Sequence, residues 1–382
     1  MAPELTLTTD EQAHAARVLD AIRARIAAAG GALPFAEFMS LALYAPGLGY
    51  YSAGARKFGA GGDFTTAPEI SPLFGRCLAR QCREVLAVTG GSILEFGAGT
   101  GALAATVLES LAALGALPER YFILEVSGDL RARQQEKLAR LDPALARRVA
   151  WLDHLPDVAL PGVVLANEVL DALPCERFVM RGGRARRLGV GAGPGGALHE
   201  VELDEWLGLP EGLEAHALPD GYRGELCPSL HPWVASVAAC LGRGLVLACD
   251  YGLPRGALYH PDRTEGTLLC HFRHRAHGEP FARIGLQDIT AWVDFTAVAE
   301  AAVDAGLEVA GFTTQAALLL ALGIERDVAG EADGTARYAR AAEARQLLMP
   351  DEMGESFKAI ALTRGLDLPL SGFALQDLRR QL

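Results

Sequence analysis

Five acidic side chains stand where an apolar run gives way to a turn: Glu95, Glu125, Asp153, Glu168 and Asp171. Gly97, Gly99 and Gly101 follow the first of them and lead into an alanine-rich stretch. Glycines at this spacing make a turn that no side chain crowds. A helix beginning just beyond leaves its backbone N–H groups unpaired and outward, so the turn holds a nucleotide-like ligand closely. Glu125 closes the next apolar run, Tyr121-Phe-Ile-Leu-Glu, where a carboxylate accepts two ribose hydroxyls. Asn167, Glu168 and Asp171 pose a different chemistry. Two carboxylates three residues apart share one face of a helical turn and grip a guanidinium from two directions. Arginine stays cationic in proteins, so localising its charge on one nitrogen leaves another better able to attack. The plainer readings are a tight ligand-free turn at 97–101 and a helix cap with an exposed acid at 167–171.

The elements that must position these groups alternate between strand and helix. Strands are expected over 92–96, 121–125, 149–152, 162–166, 244–250, 307–313 and 357–363, with helices over 101–114, 130–140, 232–241, 288–305, 314–322 and 336–348. This is an α/β pattern: a Rossmann-like sheet of seven strands closing on an antiparallel hairpin, with ligands outside the strands' carboxyl ends. Two helices, over 10–29 and 34–43, precede an irregular aromatic segment from Tyr44 to Pro68. That segment is expected to close over the cleft as a lid, with Asp63, Thr65 and Thr66 pointing inward. The resulting organisation is an N-terminal helical and lid part (1–90), a ligand-binding domain (91–365) with insertions at about 177–230 and 254–287, and a tail (366–382).

Composition narrows the function classes. A formal charge of −12 over 382 residues argues against a protein that grips nucleic acid non-specifically. Arg181-Gly-Gly-Arg-Ala-Arg-Arg187 is the densest basic run, and its apolar flanks mark it as a solvated hairpin tip. Half the residues are hydrophobic, yet no apolar run approaches membrane-spanning length. The start of the chain shows no secretory or mitochondrial address, so a cytoplasmic location is expected. Seven scattered cysteines read as reduced, buried thiols. His271-x-x-His274-x-x-His277 raises a metal question, but no cysteine or carboxylate completes a ligand set, so no metal site is expected.

Gly97-x-Gly99-x-x-Ala102 also satisfies the dinucleotide fingerprint. With Glu95 before it and Glu125 on the second strand, the arrangement resembles the S-adenosylmethionine site of class I methyltransferases. Several stretches together resemble one group of them, the MidA-like family, which includes the mitochondrial protein-arginine methyltransferase that assists complex I assembly. They are Gly62-Asp-Phe-Thr-Thr-Ala-Pro-Glu69, Leu94-Glu-Phe-Gly-Ala-Gly-Thr-Gly101, Ile123-Leu-Glu-Val-Ser127, Ala166-Asn-Glu-Val-Leu-Asp-Ala-Leu-Pro174, Asp250-Tyr-Gly252, Asp288-Ile-Thr-Ala-Trp-Val-Asp-Phe295 and Leu348-Met-Pro-Asp-Glu-Met-Gly354. The resemblance implies S-adenosyl-L-methionine held by Glu95, Gly97, Gly99, Gly101, Glu125, Asp153, Asn167 and Thr65. It also implies transfer to an arginine of a respiratory complex I type subunit, with Glu168, Asp171 and Asp63 at the transfer site. The wider arginine methyltransferases place two glutamates after strand four, where this chain has Glu168 and Asp171. Two other readings stand beside it: a cofactor-binding assembly factor with little turnover, and a small-molecule methyltransferase. A protein substrate and a homodimer are the expected partners, with no nucleic acid.

Overall fold

A computed structural model describes residues 6–53, 65–213, 218–330 and 334–382. Helices α1 (Thr9–Ala28) and α2 (Phe35–Tyr44) precede a central sheet of β1 (Ser92–Phe96), β2 (Tyr121–Leu124), β3 (Val149–Leu152), β4 (Leu160–Asn167), β5 (Leu241–Leu253), β6 (Glu308–Thr314) and β7 (Phe357–Arg364). Their order is β3-β2-β1-β4-β5-β7-β6. β7 runs antiparallel to both neighbours, and the other pairs are parallel. Parallel strands covered on both faces need no polar alternation, which is why β1 and β4 read as continuous apolar runs.

One face packs against α3 (Pro72–Thr89) and α4 (Ala102–Ala113), through Phe74, Leu78, Leu103 and Val107. Beyond α5 (Gly128–Leu138), the other face is covered by α6 (Leu230–Cys240) and α7 (Phe295–Asp304), through Val234, Val237, Phe295 and Val298. Two later helices, α8 (Gln315–Ala321) and α9 (Gly334–Leu348), return to the first face. α1 and α2 serve a separate core, where Ile22, Phe35 and Phe38 meet Val190, Cys270 and Ile289 from the insertions. The register sets Phe96 beside Leu124 and Ala166, and Ala166 beside Ala248. The residues that follow these, Gly97, Glu125, Asn167 and Cys249, therefore form one row at the carboxyl edge.

Three expectations change. Residues 288–305 are not one helix: Asp288–Thr290 pairs with the strand Leu269–Phe272, Val293–Asp294 runs beside the end of β5, and α7 starts at Phe295. The Asp294 carboxylate accepts from Ala297 N–H at 3.1 Å and caps α7, so the helix begins at the cap. The first insertion is antiparallel as expected, but Ala32–Pro34 from the N-terminal arm pairs at its edge. Finally, Glu168 opens no helical turn, because its backbone has φ +54°. The basic hairpin bends at Gly182 and Gly183, and Arg181, Arg186 and Arg187 are paired with Glu202, Glu176 and Glu205 of neighbouring strands. All seven cysteines are free, and all but Cys227 are buried.

Candidate active site

A cavity of about 400 Å³ opens over the carboxyl ends of β1, β2 and β4. Gly97, Gly99 and Gly101 have φ of +59°, +54° and +83°, a region only glycine adopts freely, so the loop turns tightly, with Gly97 N–H donating to Leu124 O at 3.0 Å and Gly101 N–H to Ala98 O at 2.7 Å. Gln134 of α5 holds this loop in place. Its Nε2 donates to Gly99 O at 2.9 Å and to a Glu125 carboxylate oxygen at 3.0 Å, while its Oε1 accepts from Trp151. The other Glu125 oxygen accepts from Ser127 N–H at 2.9 Å. Glu95 is buried with one oxygen accepting from Tyr121 OH at 2.7 Å, and burial pushes its carboxyl up to about 8 against that hydrogen bond. At the rim, Thr100 Oγ1 donates to Glu69, and Val126 stays 76% exposed, an apolar surface beside Leu130 and Leu155. Among the described residues the lining includes Glu69, Glu95, Glu125 and Glu168 and no lysine, arginine or histidine. A pyrophosphate would be repelled here, whereas a ligand carrying ammonium and sulfonium charge is attracted.

A second cavity, about 570 Å³, shares Glu168 and Tyr51 with the first. Its carboxylates are Glu168, Asp171, Asp288 and Glu352, among Tyr51, Tyr251, Trp292 and Phe357. Glu168 N–H donates to Cys249 O at 2.9 Å, and its Oε1 accepts from Asn167 Nδ2 at 3.0 Å and Ala67 N–H at 3.3 Å. Its left-handed backbone is strained for a side chain with a Cβ, and such strain persists only where neighbours hold it. Asp250 does this holding: one carboxylate oxygen accepts from Val169 N–H at 3.1 Å and Leu170 N–H at 2.8 Å. Burial, then the charges of Asp171 and Glu168, push Asp250 well up. Glu168 keeps some solvent contact through the cavities, yet desolvation and then Asp171 push its carboxyl up to about 8. Desolvation likewise pushes Asp171 up to about 6, against a hydrogen bond from Tyr251. Asp171 Oδ1 is buried without a hydrogen-bond partner. Tyr51 OH donates to Asp288 at 3.0 Å, and its ring stacks on Tyr44 with centroids 5.4 Å apart. His271, pushed down by burial, is the lone basic residue among the described lining.

A family model for S-adenosyl-L-methionine-dependent methyltransferases matches residues 77–313. The chain belongs to that family. The methyltransferase is similar to the mitochondrial protein arginine methyltransferases of Caenorhabditis elegans (28% identity over 364 residues, 87% of this chain and 83% of the relative) and Danio rerio (28% over 361 residues, 86% and 83%). A Burkholderia thailandensis protein crystallised with S-adenosyl-homocysteine is 43% identical over 99% of both chains, with a TM-score of 0.94. A native crystal structure from the same organism matches at 41% identity and a TM-score of 0.90, again over 99% of both chains. The residues present fit the cofactor: the acidic first cavity suits its two positive charges, and the αL glycines suit close approach. S-Adenosyl-L-methionine is the cofactor of this methyltransferase. One expectation is corrected here. The curated relatives are named mitochondrial, which overturns the cytoplasmic location. Compartment is read by receptors from address segments, and a folded core bears no trace of it.

The methyltransferase brings Glu95, Gly97, Gly99, Glu125, Asn167 and Glu168 to the first cavity, with Gly101 as the residue before α4. Asp171 reaches the second cavity by a tight loop in place of a helical turn. Two cofactor candidates fall elsewhere. Thr65 lines the second cavity, and Thr66 takes the place expected for it in the first. Asp153 is exposed and paired with Arg131, which draws it away from the cavity lining. Asp63 lies outside the described residues. Tyr44, Tyr51, Thr66 and Pro68 do line the cavity expected under the lid. Gln134 and Asp288 were not singled out as site residues. Gln134 sits in an ordinary polar helix, and Asp288 follows a glutamine in what reads as a helix start, so neither carried a local signal. Among the described residues no three His, Cys, Asp or Glu side chains converge as a metal ligand set.

Proposed function

We propose that this methyltransferase modifies an arginine side chain of a protein, and that the second cavity receives the guanidinium. The observation that carries the reading is four carboxylates without a lysine or arginine among the described lining, one of them holding an orphaned buried oxygen. Buried anions crowded this way are relieved by a cation. Tyrosine and tryptophan faces suit the planar guanidinium of arginine better than a compact ammonium. The names of the curated relatives point the same way.

When bound, S-adenosyl-L-methionine supplies an electrophilic methyl carbon, so the protein needs no nucleophile of its own. In this reading the glycine loop and Glu125 hold the cofactor's nucleoside portion, with Glu95 near its amino group. Glu168, which borders both cavities, holds one guanidinium nitrogen while Asp171 draws charge to another, orienting the third toward the first cavity. The attacking nitrogen must shed a proton, and a carboxylate held near 8 is a suitable acceptor. Isotope transfer from methyl-labelled cofactor into cell extract, followed by amino-acid analysis, tests the assignment. Label in methylarginine is expected, with a complex I type subunit the first substrate to try. Label confined to methyl-lysine or to small metabolites would overturn it.

A further inference from the structure

A third cavity, about 910 Å³, also reaches Asp171. It runs between α6, α7 and the segments at 207–211 and 225–228 that leave the insertion sheet. We propose that it is a docking groove for the chain flanking the target arginine, and that it selects a segment in which lysine or arginine alternates with apolar residues. This rests on the protein-arginine reading above.

Charge is the first ground. The lining holds seven carboxylates against Arg255 and His231. Arg255 is already committed, with Nε 3.0 Å from Asp294 and Nη2 2.5 Å from Glu300. Glu176 is paired with Arg187, and Glu225 with Arg177. That leaves three: the buried Asp171; Glu211, which pairs with no cation among the described residues; and Asp304, whose imidazole neighbour His231 lies 4.0 Å away. Asp304 is 77% exposed on its side chain, so it meets whatever enters. The second ground is shape and surface: Leu173, Leu207, Leu230 and Val293 also line the groove, and Val303 leaves 62% of its surface in water beside them. Apolar pockets rimmed by one sign of charge are how a surface reads a segment of the opposite sign. The third is continuity. The orphaned Asp171 Oδ1 belongs to a residue lining both this groove and the guanidinium cavity, so a chain seated in the groove feeds its arginine directly toward Glu168.

The test uses fluorescein-labelled dodecapeptides with one central arginine, flanked either by alternating lysine and leucine or by alternating glutamate and leucine. Fluorescence anisotropy at low salt is expected to show the lysine peptide binding about tenfold more tightly, a preference that shrinks as salt rises. In the double variant Glu211→Lys/Asp304→Lys the preference should shift toward the glutamate peptide. A gain of affinity for one peptide cannot come from misfolding. Equal binding of the two peptides by the unaltered protein, or an unchanged preference in the double variant, would overturn the groove. If the preference and its reversal appear while neither peptide accepts a methyl group on arginine, the groove stands and the arginine reading falls.

Discussion

The first and second cavities are built by opposite means. The first is made mainly of residues at the ends of adjacent strands, 95–103, 124–130 and 167–173, with Tyr44, Tyr51, Thr66 and Trp233 at its sides, and its carboxylates Glu95 and Glu125 are relieved by local hydrogen bonds from Ser127, Gln134 and Tyr121. The second gathers Tyr51, Glu168, Asp171, Tyr251, Asp288 and the 346–357 segment from across the chain. Its acids press on one another: desolvation followed by the charge of Asp171 raises Glu168, and the same two effects raise Asp250 behind the 168–171 loop. On the proposed reading, a cofactor common to many enzymes is held by a local device, while the substrate's charge is met by a group of acids that only the folded chain assembles.

The sharpest way to break this contrast is Glu168→Gln. Methyl transfer should fall by about 10³, roughly 4 kcal/mol, the loss typical of removing a preorganised charge partner from a transition state. Calorimetric titration with S-adenosylhomocysteine should show affinity within a few fold. Loss of cofactor binding would instead assign Glu168 to the first cavity alone. The reciprocal change is Gly99→Val. At φ +54° a β-branched residue costs about 1–2 kcal/mol and crowds the ligand, so cofactor affinity should drop by about tenfold or more in the same titration. Unchanged affinity would mean the loop's conformation is irrelevant to the ligand.

A pH profile sharpens the contrast further. The clamp works ionised, so kcat/KM should fall as pH drops below about 8, where Glu168 takes up its proton. Asp171 is among the charges that raise Glu168, so Asp171→Asn should move this limb to lower pH, whatever it does to the plateau. A limb that stays in place would remove the coupling between the two carboxylates. The smallest effect expected is on stability. Folded Glu168 binds its proton more tightly than the unfolded chain does, so it lowers stability as pH rises from about 4.5 to about 8. Glu168→Gln should therefore raise the melting temperature by about 2 °C at pH 8.5, with the gain fading near pH 5. Solvent reaching the carboxylate through the cavities keeps that figure small.

Much of the architecture is legible without coordinates because it rests on short-range regularities. Period, glycine turns and caps mark every strand of the central sheet to within a few residues. They failed over 288–305, where Asp288-Ile-Thr pairs with a distant strand and so departs from local helical preference. At the 167–171 loop the expected helical turn is absent: the buried Asp250 carboxylate binds the loop amides and displaces it.

Sequence alone therefore determined the fold class, the glycine turn after β1 and the place of Glu168 at the end of β4, since these follow from residue type and spacing along one or two elements. Tertiary structure decided that Asp288, Tyr251 and Tyr51 line the second cavity with Glu168, that Thr65 and Asp153 stand outside the lining of the first, and that Asp171 borders a groove as well as a cavity. The physical reason is range. Backbone turns and hydrogen-bond ladders are set by near neighbours, whereas desolvation and repulsion among carboxylates depend on which distant segments the packed core brings together.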